Sequence, residues 1–266
     1  AGIRAHPDMS AAKSWKSMII PWHNEFISIW LYVGFAIYFW VETILCVAHS
    51  SRFKFIDKHN YEFMFLALLG ISISLTLTAA YIIFYSMSEA LRDLLESIEY
   101  MGKLTMIFLF TFAFIGSELH DSQYYFPFMF SVGSLLVLNL ILVQYDFGRV
   151  VSFWISLGII LMVYIYDFLF YASPKEKKVF YIPMFIELAI LGVGYLFYIF
   201  QVPERFCPDA KFVQLYLTGF FIFTLFLINF IFEASNILYV TLKLNSGNYD
   251  PDEDDFFAVD NIYHKN

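Results

Sequence analysis

Long apolar runs recur along this chain with only short polar breaks between them, and that pattern constrains the fold more than any single residue does. The spacing predicts helices over 26–47, 61–86, 99–117, 124–145, 151–172, 179–201 and 212–238. Each is near or above the ~20 residues that cross about 30 Å of hydrocarbon at about 1.5 Å per residue. Lipid offers a backbone no hydrogen-bond partner, so such runs must satisfy themselves as helices. The breaks fall at His49–Asn60, Leu94–Ser97, Gly116–Gln123, Asp146–Arg149, Ser173–Lys178 and Pro203–Lys211. The third run has the shortest uninterrupted core, because Glu99 and Lys103 stand at its start. The expectation is an all-α polytopic membrane protein with seven transmembrane helices.

Composition narrows the function. Hydrophobic residues are 60% of the chain and charged residues 15%, against roughly 45–50% and 25% in soluble domains. That excludes a disordered chain, a nucleic-acid binder built on basic patches and almost any water-soluble enzyme. Three parts are expected: an N-terminal segment 1–22, a helical domain 23–243 and an acidic tail 244–266. The tail carries Asp250, Asp252, Glu253, Asp254, Asp255 and Asp260 against Lys265, and has little apolar matter to bury. The chain opens at Ala1 with no continuous apolar core in residues 1–22, which leaves a removed upstream segment and a trimmed chain equally open. Cys46 and Cys207 support neither a disulfide framework nor a zinc knuckle. Lysine and arginine divide evenly between the two sides of the expected bundle, so the positive-inside rule sets no orientation.

Three short stretches carry a resemblance. Asn24-Glu25 followed by Ile29-Trp30 leads into the first run. Tyr85-Ser86-Met87-Ser88-Glu89, then Glu99 and Gly102, spans the second junction. Pro203-Glu204-Arg205 precedes the last run. In this order the chain resembles the family of adiponectin receptors, membrane progestin receptors and hemolysin-III proteins. The resemblance implies seven helices around a central cavity, a short amphipathic helix before the first span, and a zinc-assisted amide hydrolysis related to that of ceramidases. In that family a Ser-x-x-x-His in the second span and a His-x-x-x-His in the last supply three zinc ligands, and an aspartate opening the third span orients a water.

Carried over position by position, the second-span pair falls on Thr78 and Ile82, the last-span pair on Thr218 and Ile222, and the aspartate on Glu99. Isoleucine has no lone pair for a metal, whereas a catalytic zinc takes three protein ligands and an open position. The six histidines, His6, His23, His49, His59, His120 and His264, all fall in expected loops, tails or span ends. No catalytic residue, no metal and no cofactor is therefore expected, apart from bound phospholipid. Glu118, His120 and Asp121 sit together past the third span, but Glu-x-His is not the Glu-x-x-His spacing that puts two ligands on one helix face.

Four carboxylates fall at membrane depth: Glu42, Asp167, Glu187 and Glu233. Each costs about 2.5–3.5 kcal/mol in hydrocarbon even on mild insertion scales, so each should face the bundle, a water-filled cavity or a partner. The expected function is a non-catalytic structural subunit of a large membrane assembly. Its partners would be other membrane protein subunits and lipids, with no nucleic acid, in the mitochondrial inner membrane. The alternatives are a zinc-free receptor or lipid-binding protein using the inherited cavity, and a membrane hydrolase with a relocated site.

Overall fold

The computed structural model describes residues 26–49, 53, 56, 58–84, 89–119, 125–142, 146–170, 172–202, 205–206 and 218–247. Among them the chain is all helical: α1 (Phe26–Val47), α2 (Lys58–Phe84), α3 (Glu89–Leu119), α4 (Tyr125–Leu142), α5 (Asp146–Phe170), α6 (Pro174–Ile199) and α7 (Thr218–Asn245). Five of the seven are long and apolar enough to cross a membrane, over Ile27–Val47, Asn60–Phe84, Ala90–Ser117, Pro174–Ile199 and Gly219–Asn245. The other two contribute the shorter apolar stretches Phe126–Asn139 and Gly158–Phe170.

Several boundaries differ from expectation for local reasons. The segment 89–97, expected to end in a polar break, is the start of α3. Its Glu, Ala, Leu and Arg residues are strong helix formers, so charged turns extend the helix instead of breaking it. The break at Ser173–Lys178 is a helix start. Ser173 Oγ accepts from the Glu176 N–H (3.2 Å), the Glu176 carboxylate accepts from the Ser173 N–H (2.7 Å), and Pro174 occupies the first turn. Residues Lys177–Tyr181 then form one π turn. At the far end α7 runs to Asn245 and stops before Gly247, whose φ of 70° suits glycine. The expected N-terminal amphipathic helix and most of the acidic tail lie outside the described residues.

The core belongs mainly to α1, α2, α3 and α7. Ile29, Phe39, Ile71, Leu75, Leu238 and Leu242 are fully buried there. The α2–α3 pairing is the most extensive in the molecule, followed by α1–α2 and α6–α7. Glycine lets two of these pairs close up. A Cβ on Gly102 would sit 2.8 Å from Leu77 of α2, and one on Gly194 of α6 would sit 2.5 Å from Phe226 Cβ of α7. Hydroxyls join α1 to α2: Thr43 and Ser72 lie 3.0 Å apart, and Trp40 Nε1–H donates to Thr76 (3.0 Å). Asn60 of α2 donates to Ser246 just past α7 (3.1 Å).

Helices α4 and α5 sit on a smaller cluster of Leu104, Phe108, Val132 and Ile160. Asn139 of α4 donates to Ser156 of α5. An aromatic knot ties α5 and the start of α6 to α3. Phe114 stacks on Phe180 at 3.8 Å and 14°, with Tyr181 edge-on and Tyr164 tilted against the same ring. Beyond that knot α6 packs chiefly along α7, with Tyr195 and Tyr198 against Phe223, and leaves most of its other faces exposed.

Candidate functional site

The place to inspect is where α2, α3 and α7 meet, because the resemblance puts its ligand positions there. Ile82 and Thr78 are buried on α2, and Glu99 is buried on α3. Ile222 is half-buried on α7. Thr218 opens α7, and its side chain lies outside the described residues. Glu99 ends in an ion pair: Lys103 Nζ, one turn on, sits 2.7 Å from its carboxylate. The order, Glu four residues before Lys, is the favourable one on a helix. With apolar side chains at two positions and the carboxylate held by an ammonium, these residues do not fit a zinc ion. No metal step is derived from them.

What occupies the region is a polar set from three helices. Tyr32 of α1 is buried with its hydroxyl facing Thr224 of α7, and the Glu99 carboxylate is within electrostatic reach. The Thr224 hydroxyl is wholly buried and makes no hydrogen bond of ordinary length among the described residues. Sequence reasoning missed this set. Tyr32 and Thr224 are remote in the chain, and neither stands in a spacing that signals a site.

The other expected residues separate by environment. In the lead-in stretch Ile29 is wholly buried while Trp30 is half-exposed, so that motif serves packing on one face and the bundle exterior on the other. Gly102 serves the close approach of α3 to α2. Arg205 lies exposed in a turn, its N–H donating to the Gln201 carbonyl (2.8 Å). Asn24, Glu25, Pro203 and Glu204 lie outside the described residues, as do His120, Asp121 and the side chain of Glu118.

The four carboxylates do not share one site. Glu42 is buried in α1, one turn from buried Cys46. Asp167 accepts from the Tyr181 hydroxyl, which joins the end of α5 to the π turn, while Lys177 stands 5.1 Å over the Phe168 ring. Glu187 accepts from Asn229 Nδ2 across the α6–α7 seam (3.1 Å), with Glu233 within electrostatic reach. The structure thus brings Glu187 and Glu233 together, and leaves Glu42 and Asp167 apart from them.

A cleft of about 310 Å³ opens between α3, α4 and α5, lined by Thr111, Phe128, Ser131, Val132, Leu135 and Ile160 among others. Its two hydroxyls are turned back onto their own helices, Thr111 to Ile107 and Ser131 to Pro127. The wall is therefore apolar in effect, suited to a hydrocarbon chain and ill suited to a polar substrate.

Against known proteins, the family model described as haemolysin-III related matches residues 20–235, a stretch that takes in α1 to α6 and most of α7. No curated protein matches closely enough to stand as a relative.

Proposed function

This chain belongs to the haemolysin-III related family and is an integral membrane protein, and we propose that it serves as a non-catalytic structural subunit of a larger membrane assembly. On this reading the bundle has seven spans. The three positions that would hold a metal carry Ile82, Thr218 and Ile222, and Glu99, at the water-orienting position, is already paired to Lys103, so the scaffold outlives the chemistry. Function follows the site and not the fold.

The observation that carries the reading is the surface of α6. Over an 18-residue apolar stretch of each helix, 39%, 44% and 39% of residues are buried in α1, α3 and α7, while in α6 the share is 6%, although a carboxylate stands in its middle. A helix so bare, and so polar at its centre, fits a subunit whose neighbours belong to other chains. The mitochondrial inner membrane is the compartment we propose, with other membrane subunits and phospholipid as the contacts.

The test is native electrophoresis of gently solubilised membranes, with mass spectrometry of the band that holds this chain. A fixed set of co-migrating subunits at constant stoichiometry is expected. A lone species, or a dimer, contradicts it. A second reading, a lipid-binding protein without hydrolase activity, draws on the apolar cleft between α3, α4 and α5. It predicts that the purified chain carries a phospholipid whose acyl chain is displaced when Leu135→Trp fills the cleft.

A further inference from the structure

Glu187 stands midway along the span Pro174–Ile199 and Glu233 midway along Gly219–Asn245, so both carboxyls fall near the centre of the hydrocarbon. Asn229 is exposed, which puts the group on the outer surface of the α6–α7 seam and not within the bundle. One amide from Asn229 hydrogen-bonds Glu187 but cannot neutralise it. Among the described residues no lysine, arginine or histidine lies against either carboxyl. Glu99, by contrast, has Lys103 at 2.7 Å. Two acids at mid-depth at an open seam must either hold protons or meet a cation, and among the described residues the chain supplies no such cation.

We propose that the α6–α7 seam is a docking surface for a transmembrane helix of another protein that presents a lysine or arginine at mid-bilayer depth. Charge complementarity selects that occupant. Acyl chains bring no donor to this depth, and head groups stop at the interface. A second copy packed two-fold on the same surface would set carboxyls against carboxyls. An arginine could meet the acids through several N–H groups at once. This inference deepens the structural-subunit reading and rests on it.

A photo-activatable residue at Leu225, exposed one turn from Asn229, tests it in the full chain in its own membranes. A control is placed at Ile37, exposed on α1. We expect Leu225 to join a transmembrane peptide of another protein carrying Lys or Arg within two turns of the joined residue. The double substitution Glu187→Gln, Glu233→Gln should cut that adduct about tenfold and leave adducts at Ile37 unchanged. Adducts with lipid alone, with a second copy or with a helix lacking a basic residue overturn the docking surface, as does an adduct that survives the double substitution. Should the doubly substituted chain fail to accumulate, the adduct of the singly labelled chain still decides, since its peptide either carries the cation or does not. If the seam fails while the chain still co-migrates with a fixed assembly, the subunit reading stands without it. If the chain migrates alone, that reading falls.

Discussion

Helices α2 and α6 are spans of nearly equal length, 25 and 26 residues over Asn60–Phe84 and Pro174–Ile199, yet over an 18-residue apolar stretch of each, 61% of one is buried and 6% of the other. In α2 every neighbour is supplied from within: α3 on one side, α1 on another, the end of α7 at its first turn through Asn60. Ser72, Ser74 and Thr78 are buried along it, Ser72 meeting Thr43 and bonding its own Leu68 carbonyl. In α6 only the π turn and the Gly194 contact are enclosed. The difference teaches that a membrane span is not a packing unit. Lipid rewards both helices equally for being apolar, so what distinguishes them is dispersion contacts, hydrogen bonds and the placement of the few polar groups. One half of this molecule completes itself; the other presents a carboxylate to the outside.

The contrast can be broken hardest at the junction. Phe114→Ala removes the ring on which Phe180, Tyr164 and Tyr181 converge. Lipid also solvates a phenyl group, so the cost should fall below that in a water-soluble core, at about 2–3 kcal/mol. Equilibrium unfolding in mixed micelles should show it, together with loss of the α3–α6 contact and retention of α1–α2.

Next in size, Gly194→Ala pushes α6 off Phe226 of α7 and should cost about 1–2 kcal/mol. Gly34→Ala, with open space around it, should cost nothing measurable in the same unfolding assay. Asn139→Leu cuts the bond between α4 and α5 and should lower unfolding stability by about 0.6–1.7 kcal/mol. Smallest of the measurable losses, Thr43→Val should cost below about 0.6 kcal/mol, because Ser72 keeps its bond to the Leu68 carbonyl when its partner goes. A large loss at Thr43 would show that the self-complete half depends on single polar contacts more than on its packed surface.

Much of the fold was legible because hydrocarbon imposes length and apolarity on every span at once. The limits of the elements were less so. Leu94–Ser97 reads as a break, yet a helix continues through it, and Ser173-Pro174-Lys175-Glu176 reads as a loop when it is a capped helix start. The candidate site divides the same way. Residue type alone removes metal donors at Ile82 and Ile222. No pattern marks Tyr32 and Thr224 as neighbours, since their meeting depends on how α1 and α7 cross. Glu42 and Glu187 look alike in sequence, each an acid in an apolar run, but one is buried in the bundle and the other stands at an open seam.

The most direct measurement of the central claim is labelling by a lipid-phase carbene probe, comparing peptides of α2 and α6 in native membranes and in the purified chain. If α6 is covered by other subunits, its peptides are protected in the membrane and labelled strongly after isolation, while α2 is protected in both. Equal labelling of α6 before and after isolation would mean that lipid alone faces this helix, and the subunit account would be wrong.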